Sequence, residues 1–208
     1  ALELDASIET CAAAMDGTQF LGSNFIAEKN KIQQAMNTCF DEIETFPLED
    51  PRGKKANSEI IHVGFIINSI FNGSYYPFFE PILRHRDKSK FKLVVYKTSI
   101  AEDPLFTQIQ NNVDLVRPVF DIDPETLSVI ITNDRIDVLI DLSGYSEGSQ
   151  YTILKQGIAP VQIGHLRYPY GINAPGKNFI ISDRITAQKD KKQQSNDTEV
   201  IIADSCLY

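Results

Sequence analysis

The chain has no tryptophan among its 208 residues and only three cysteines, Cys11, Cys39 and Cys206. The cysteines are odd in number and far apart, with no Cys-x-x-Cys pair and no Cys/His cluster. That excludes a disulfide framework and a structural zinc site, and leaves reduced thiols in a cytoplasmic protein as the expectation. No apolar run approaches the roughly 20 residues a membrane helix needs, so a membrane span is excluded. The opening segment, ALELDASIET, lacks the basic n-region of a signal peptide. It also lacks a starting Met, so the expectation is a piece of a longer or processed chain. Glycine-rich phosphate loops are missing as well. No Gly-x-Gly-x-x-Gly follows the first strand and no Gly-x-x-x-x-Gly-Lys-Ser/Thr occurs, which argues against a lone nucleotide-binding Rossmann domain. Positive charge is scarce. The net charge is −8, and ten of the 28 acids but only two of the 20 basic residues fall within 1–50. An acidic face repels phosphate backbones, so nucleic acid is not an expected partner.

The charge asymmetry marks a boundary. Leu4, Ile8, Cys11 and Met15 recur at helical spacing, as do Ile32, Met36, Cys39, Ile43 and Phe46. Residues 1–46 therefore read as a helical pair, either a docking hairpin or the end of a helical repeat, or two helices packed on the next domain. Residues 47–59, rich in Pro, Gly, Asn and Lys, read as a linker.

From Ile60 the period changes. Ile60–Ile67 and Phe91–Tyr96 are apolar runs of buried-strand type, and Leu115–Phe120 is a weaker strand that Pro118 confines to an edge. Residues 136–142, Val161–Gly164, Phe179–Ser182 and Glu199–Ala203 supply four more strands. Helices are expected over Tyr75–Arg86, where Pro81 should kink or shorten the helix, and from Asp103-Pro104 to about Asn111. Two more should open at Asp123-Pro124-Glu125 and near Gln150. Thr186–Thr198 is polar and expected to be mobile. Strands alternating with helices at this spacing predict an α/β class, a Rossmann-like, doubly wound, mostly parallel sheet over 60–208.

In such sheets the loops at the carboxyl ends of the strands line the ligand crevice. Ser143-Gly144-Tyr145 follows one strand and His165-Leu166-Arg167-Tyr168-Pro169 another. His165 could act as acid or base, and Arg167 could meet an anion; an ordinary loop histidine is the alternative. His62 lies inside a strand and reads as structural, and His85 as part of a solvated helix end. Asp137 and Asp141 are four apart on one strand and read as partnered by backbone or Arg rather than as an acid/base couple.

Three blocks, DRIDVLIDLSGYSEGS, IAPVQIGHLRYPYG and NFIISD, occur in that order. They resemble the O-GlcNAc transferase-like glycosyltransferases, whose pattern runs D-G-I-D-I-L-V-D-L-x-G-(H/Y)-T, R-P-A-P-(V/I)-Q-x-x-W-L-G-Y-P and D-Y-(I/R)-(I/L)-(T/A)-D. Ile136-Asp137, Asp141-Leu142, Gly144-Tyr145, Ala159-Pro160-Val161-Gln162, Leu166, Tyr168-Pro169 and Asp183 carry the match. HVGFI at 62–66, FKLVVY at 91–96 and the end of the chain extend the likeness to about residues 60–208.

The resemblance implies one lobe of a two-lobed GT-B fold, with a sugar passing from a UDP-sugar to a protein or peptide acceptor without metal or other cofactor. It implies that the donor is held mostly by a C-terminal lobe outside this chain, which by itself would be inactive. A tetratricopeptide array before the lobe would suit residues 1–46. Tyr145, His165, Arg167, Tyr168 and Pro169 are then expected to line the acceptor cleft, with Asn72 and Gly73 on the adjoining loop. Several positions depart from the pattern, among them Gly157-Ile158 in place of the family's Arg-Pro. Gly73 stands where the family carries a histidine, and glycine transfers no proton. His165 replaces the family's Trp, and Arg167 its close-approach Gly. Gly73, Arg167 and the expected absence of the second lobe from this chain motivate the alternative of a non-catalytic interaction module derived from such a lobe.

Overall fold

The computed structural model describes residues 26–43, 45, 59–68, 76–100, 104–144, 150–165, 168, 174, 177–184 and 198–204. Helix α1 (Ile26–Asp41) is followed by β1 (Ile61–Ile67), α2 (Tyr76–His85), β2 (Phe91–Lys97), α3 (Pro104–Gln110) and β3 (Leu115–Pro118). Then come α4 (Pro124–Asn133), β4 (Val138–Asp141), α5 (Tyr151–Lys155), β5 (Val161–Gly164), β6 (Lys177–Asp183) and β7 (Thr198–Ala203). The strands form one sheet in the order β3-β2-β1-β4-β5-β6-β7, and every pair is parallel. The weak strand with Pro118 lies at an edge, where a missing N–H breaks no ladder.

Strand alternation sorts the apolar residues onto two faces, which is why the strands read as unbroken apolar runs. Val63, Phe65 and Ile67 of β1 and Leu93 and Val95 of β2 pack with Phe79 and Leu83 of α2 and Ile109 of α3. Phe65 and Phe79 meet edge to face, with ring centroids 4.7 Å apart. On the opposite face Ile66, Val94, Tyr96 and Leu139 pack with Cys39 of α1, Leu127 and Ile131 of α4, and Ile153 and Leu154 of α5. A fully buried side chain of this size contributes about 1.5–3 kcal/mol. The sheet is thus doubly wound, as expected.

Helix α1 belongs to this core. Ile32, Ala35 and Ile43 pack against the second cluster, and Asp41 pairs with Lys155 of α5 at 3.4 Å. The described helix of this segment thus packs on the sheet domain. The first predicted helix, most of the 47–59 linker and the polar stretch up to 197 lie outside the described residues.

Two local departures have physical causes. Helix α2 runs through Pro81 to His85 rather than stopping short. Pro77 and Pro81 are both exposed, so the carbonyl that Pro81 leaves unbonded lies on the solvent side, while Phe79 and Leu83 hold the inner face. Arg86 lies at the helix end expected to be solvated, yet its side chain is only 5% exposed. It donates to the Leu83 carbonyl and pairs with Asp114 at 3.0 Å, and Asp114 also accepts the Leu93 N–H.

Helix α4 begins as its sequence demands. Asp123 accepts from the Thr126 N–H at 2.9 Å, and Pro124 opens the first turn. It ends less comfortably, because Arg135, just past the cap Asp134, adopts φ 55°, a conformation that glycine takes freely. Asp134 itself is well used. Arg117 donates to its carboxylate from Nε at 2.9 Å and from Nη2 at 2.5 Å, and the buried Tyr96 hydroxyl donates at 2.8 Å. Tyr96 reaches it by lying over Gly64, where a Cβ would come within 3.1 Å of its ring.

Candidate functional site

Strand order reverses between β1 and β4, neighbours in space although two strands and three helices separate them in sequence. At such a switch point the following loops diverge and leave a crevice beyond the carboxyl ends of the strands. Buried Asn68 follows β1 here, and Asp141 to Gly144 leads out of β4. Gly164 and His165 close β5 one strand further along.

Asp141 organises this end of the sheet. It is fully buried, and its Oδ1 accepts from the Ser143 N–H at 2.7 Å and the Ser143 hydroxyl at 2.6 Å. Its Oδ2 accepts from the Tyr168 hydroxyl at 2.5 Å. Burial pushes the carboxyl above its ordinary value, and the Ser143 and Tyr168 hydrogen bonds act against that shift. The backbone carbonyl of Asp141 accepts the His165 N–H at 3.1 Å, extending the β4–β5 ladder by one rung. Gly164 makes the tyrosine's place. A Cβ there would sit 2.6 Å from the Tyr168 ring, closer than any packing tolerates. The Ser143 hydroxyl also receives the Gln150 N–H at 3.4 Å, bridging the base of the 144–149 segment.

His165 is half-buried, and desolvation lowers its imidazole to about 4. The ring is therefore neutral at pH 7. Its Nδ1 is buried and has no hydrogen-bond partner among the described residues. Such a group is a weak base, and at neutral pH it is better suited to hydrogen bonding a hydroxyl than to removing a proton.

Of the expected cleft residues, His165 and Tyr168 fall within the described structure, both hydrogen-bonded to Asp141. Tyr168 is 4% exposed and its hydroxyl is committed to Asp141, so it acts on the crevice from beneath. Asn72, Gly73, Tyr145, Arg167 and Pro169 lie outside the described residues. Asp137 sits at the amino end of β4, where it accepts the His62 N–H at 2.9 Å. It is roughly 13 Å from Asp141 at the strand rise, too far for an acid/base couple. His62 Nδ1 is 3.2 Å from the Asp134 carbonyl, a structural contact, and His85 is exposed at the end of α2. Gln162, part of the A-P-V-Q motif, is buried and donates to the Leu154 carbonyl at 3.0 Å and to Asn178 at 3.2 Å, tying β5 to α5 and β6. Sequence spacing gave Gly164 and Ser143 no role of their own. A glycine ending a strand four residues before a tyrosine was the available signal for the first. Among the described residues no group of three or more His, Cys, Asp or Glu is placed to hold a metal, and no helix is long and apolar enough to cross a membrane.

Comparison with known proteins agrees with this geometry. Residues 26–205 match the family model described as Glycosyl transferase family 41. A relative from Arabidopsis thaliana, named "Probable UDP-N-acetylglucosamine--peptide N-acetylglucosaminyltransferase SPINDLY", is 26% identical over 151 residues, covering 71% of this chain and 16% of its own length. A Caenorhabditis elegans UDP-N-acetylglucosamine--peptide N-acetylglucosaminyltransferase is 24% identical over 160 residues, covering 72% and 14%. A solved mutant O-GlcNAc transferase of Thermobaculum terrenum superposes with a TM-score of 0.72 at 16% identity, over 85% of this chain and 34% of that one. The chain therefore spans about a sixth of the length of the curated relatives, and its sheet is that of one GT-B lobe.

Proposed function

This chain belongs to glycosyl transferase family 41, and from that membership we propose that it forms the acceptor-side lobe of a protein O-glycosyltransferase. The donor is a UDP-sugar, held mainly by a C-terminal lobe outside residues 1–208 and used without metal or other cofactor. The acceptor is a protein or peptide, and the enzyme works in the cytoplasm. Residues 1–46 end a tetratricopeptide-type helical region that precedes the lobe at 60–208.

The family match across nearly the whole sheet carries this reading. The crevice supports it chemically. Its floor is a buried polar cluster rather than a glycine-rich phosphate cradle, which suits contact with hydroxyls better than with a nucleotide's phosphates. Asn72, Gly73, Tyr145, His165, Arg167, Tyr168 and Pro169 form the acceptor side, on the three segments that follow β1, β4 and β5. His165 brings a neutral imidazole to the crevice, and Tyr145 with Pro169 gives a peptide an apolar face with a polar handle.

The test is transfer by the full-length protein, supplied with a panel of radiolabelled UDP-sugars and a peptide library, scored by label retained on peptide. His165→Leu and Tyr145→Phe should raise the KM for peptide several-fold and leave the KM for donor nearly unchanged. Turnover indifferent to both variants would remove the acceptor site from this crevice. Absence of transfer and of UDP-sugar hydrolysis would instead favour an interaction module.

A further inference from the structure

The two segments that flank the crevice after β4 and β5 are tied to one buried side chain. Oδ1 of Asp141 holds Ser143 by backbone and hydroxyl, and that same hydroxyl receives the Gln150 N–H from the far end of the 144–149 segment. Oδ2 holds the Tyr168 hydroxyl, and Gly164 leaves the space in which the tyrosine ring lies. The Asp141 carbonyl fixes His165 through its N–H. No cation among the described residues pairs with this carboxylate, whose partners are all neutral donors. A buried carboxylate with neutral donors alone is a costly arrangement and, for stability, a poorer choice than an apolar side chain of the same volume. What it supplies is fixed direction: each oxygen addresses one of the two segments.

We propose that Asp141 is a positioning residue, whose carboxylate couples the segments after β4 and β5 and so sets where the His165 imidazole stands in the crevice. The proposal rests on the glycosyltransferase reading only for what the crevice receives; the coupling belongs to the chain itself. Loosening Tyr168 should then expose His165, although the two side chains are three residues apart. Loosening Ser143 should do the same from the other segment. The backbone N–H groups of Ser143, Gln150 and His165 should open together.

The test is made on the 208-residue chain, without donor or acceptor, by NMR titration of the histidine ring protons in wild type, Tyr168→Phe, Ser143→Ala and Asp141→Asn. In the wild type the His165 midpoint should lie near 4. In each folded variant it should rise toward the ordinary imidazole value by about 1 unit as the ring gains solvent, while the His62 and His85 resonances at fixed pH stay in place. A purely structural role would lower the melting temperature and leave the His165 midpoint where it was, and that result overturns the proposal. Should the variants not fold, native-state hydrogen exchange on the wild type decides. The amides of Ser143, Gln150 and His165 exchanging through one common opening supports the coupling, and exchange through unrelated openings refutes it. Because neither measurement involves sugar transfer, a failed transfer assay and a failed coupling test are separate outcomes.

Discussion

Acidification should destabilise this domain through one identifiable residue. In the folded chain the His165 imidazole is lowered to about 4 by desolvation, from 6.5 in a solvated histidine. The unfolded chain therefore binds a proton at higher pH than the folded one. Stability from the neutral ring is fully present above pH 6.5 and is lost as pH falls from there toward 4. Linkage with these two values gives a loss of about 2–3 kcal/mol between pH 7.5 and pH 4.5 from this residue alone. The change is large against the 5–15 kcal/mol typical of a whole domain. Urea unfolding followed by circular dichroism at the two pH values, on wild type and His165→Leu, measures it. Carboxylates titrate in both proteins and cancel in the double difference. Wild type should lose about 2–3 kcal/mol more than the variant. A double difference below about 0.5 kcal/mol would mean the ring is solvated when folded, and the desolvated crevice floor would be refuted with it.

Gly164→Ala should cost about 1–3 kcal/mol by thermal melting, since its Cβ would press on the Tyr168 ring. In a Tyr168→Ala background the same change should cost much less, and an additive cycle would refute the contact. Arg135→Gly should stabilise by about 0.5–1 kcal/mol, because φ 55° is strained for arginine; a lower urea midpoint would contradict this. Asp134→Ala should cost about 1–3 kcal/mol, since it strands the buried Tyr96 hydroxyl, and a loss under 0.5 kcal/mol would show that water replaces the carboxylate.

The sheet was legible because two-sided burial writes itself as apolar runs such as Ile60–Ile67 and Phe91–Tyr96, and the cap-proline signal at Asp123-Pro124 placed the start of α4 to the residue. Pro81 misled because periodicity does not say which side of a helix loses the hydrogen bond, and the exposed side tolerates it. At the crevice, the strand-end position pointed to His165 as an acid or base, and the family resemblance pointed to Tyr168 as a cleft residue. Only three-dimensional packing separates a ring nitrogen without a partner among the described residues from a hydroxyl already spent on Asp141. Asp137 and Asp141 share a strand in the sequence, yet serve opposite ends of the sheet for different reasons.

The strand order also bears on how the domain assembles. Every pair of neighbouring strands joins consecutive strands of the chain except β1 and β4. Residues 61–118 can thus build a three-stranded piece, and 138–203 a four-stranded one, each from short crossovers with modest loop-closure cost. The β1–β4 seam is the long-range step that unites them, with Ile66 opposite Asp141 at its last rung, and topologies of this kind are slow where distant strands must find each other. The line along which the two halves meet is the line along which the crevice opens. A chain caught before that docking would have two separate half-sheets and no crevice between them.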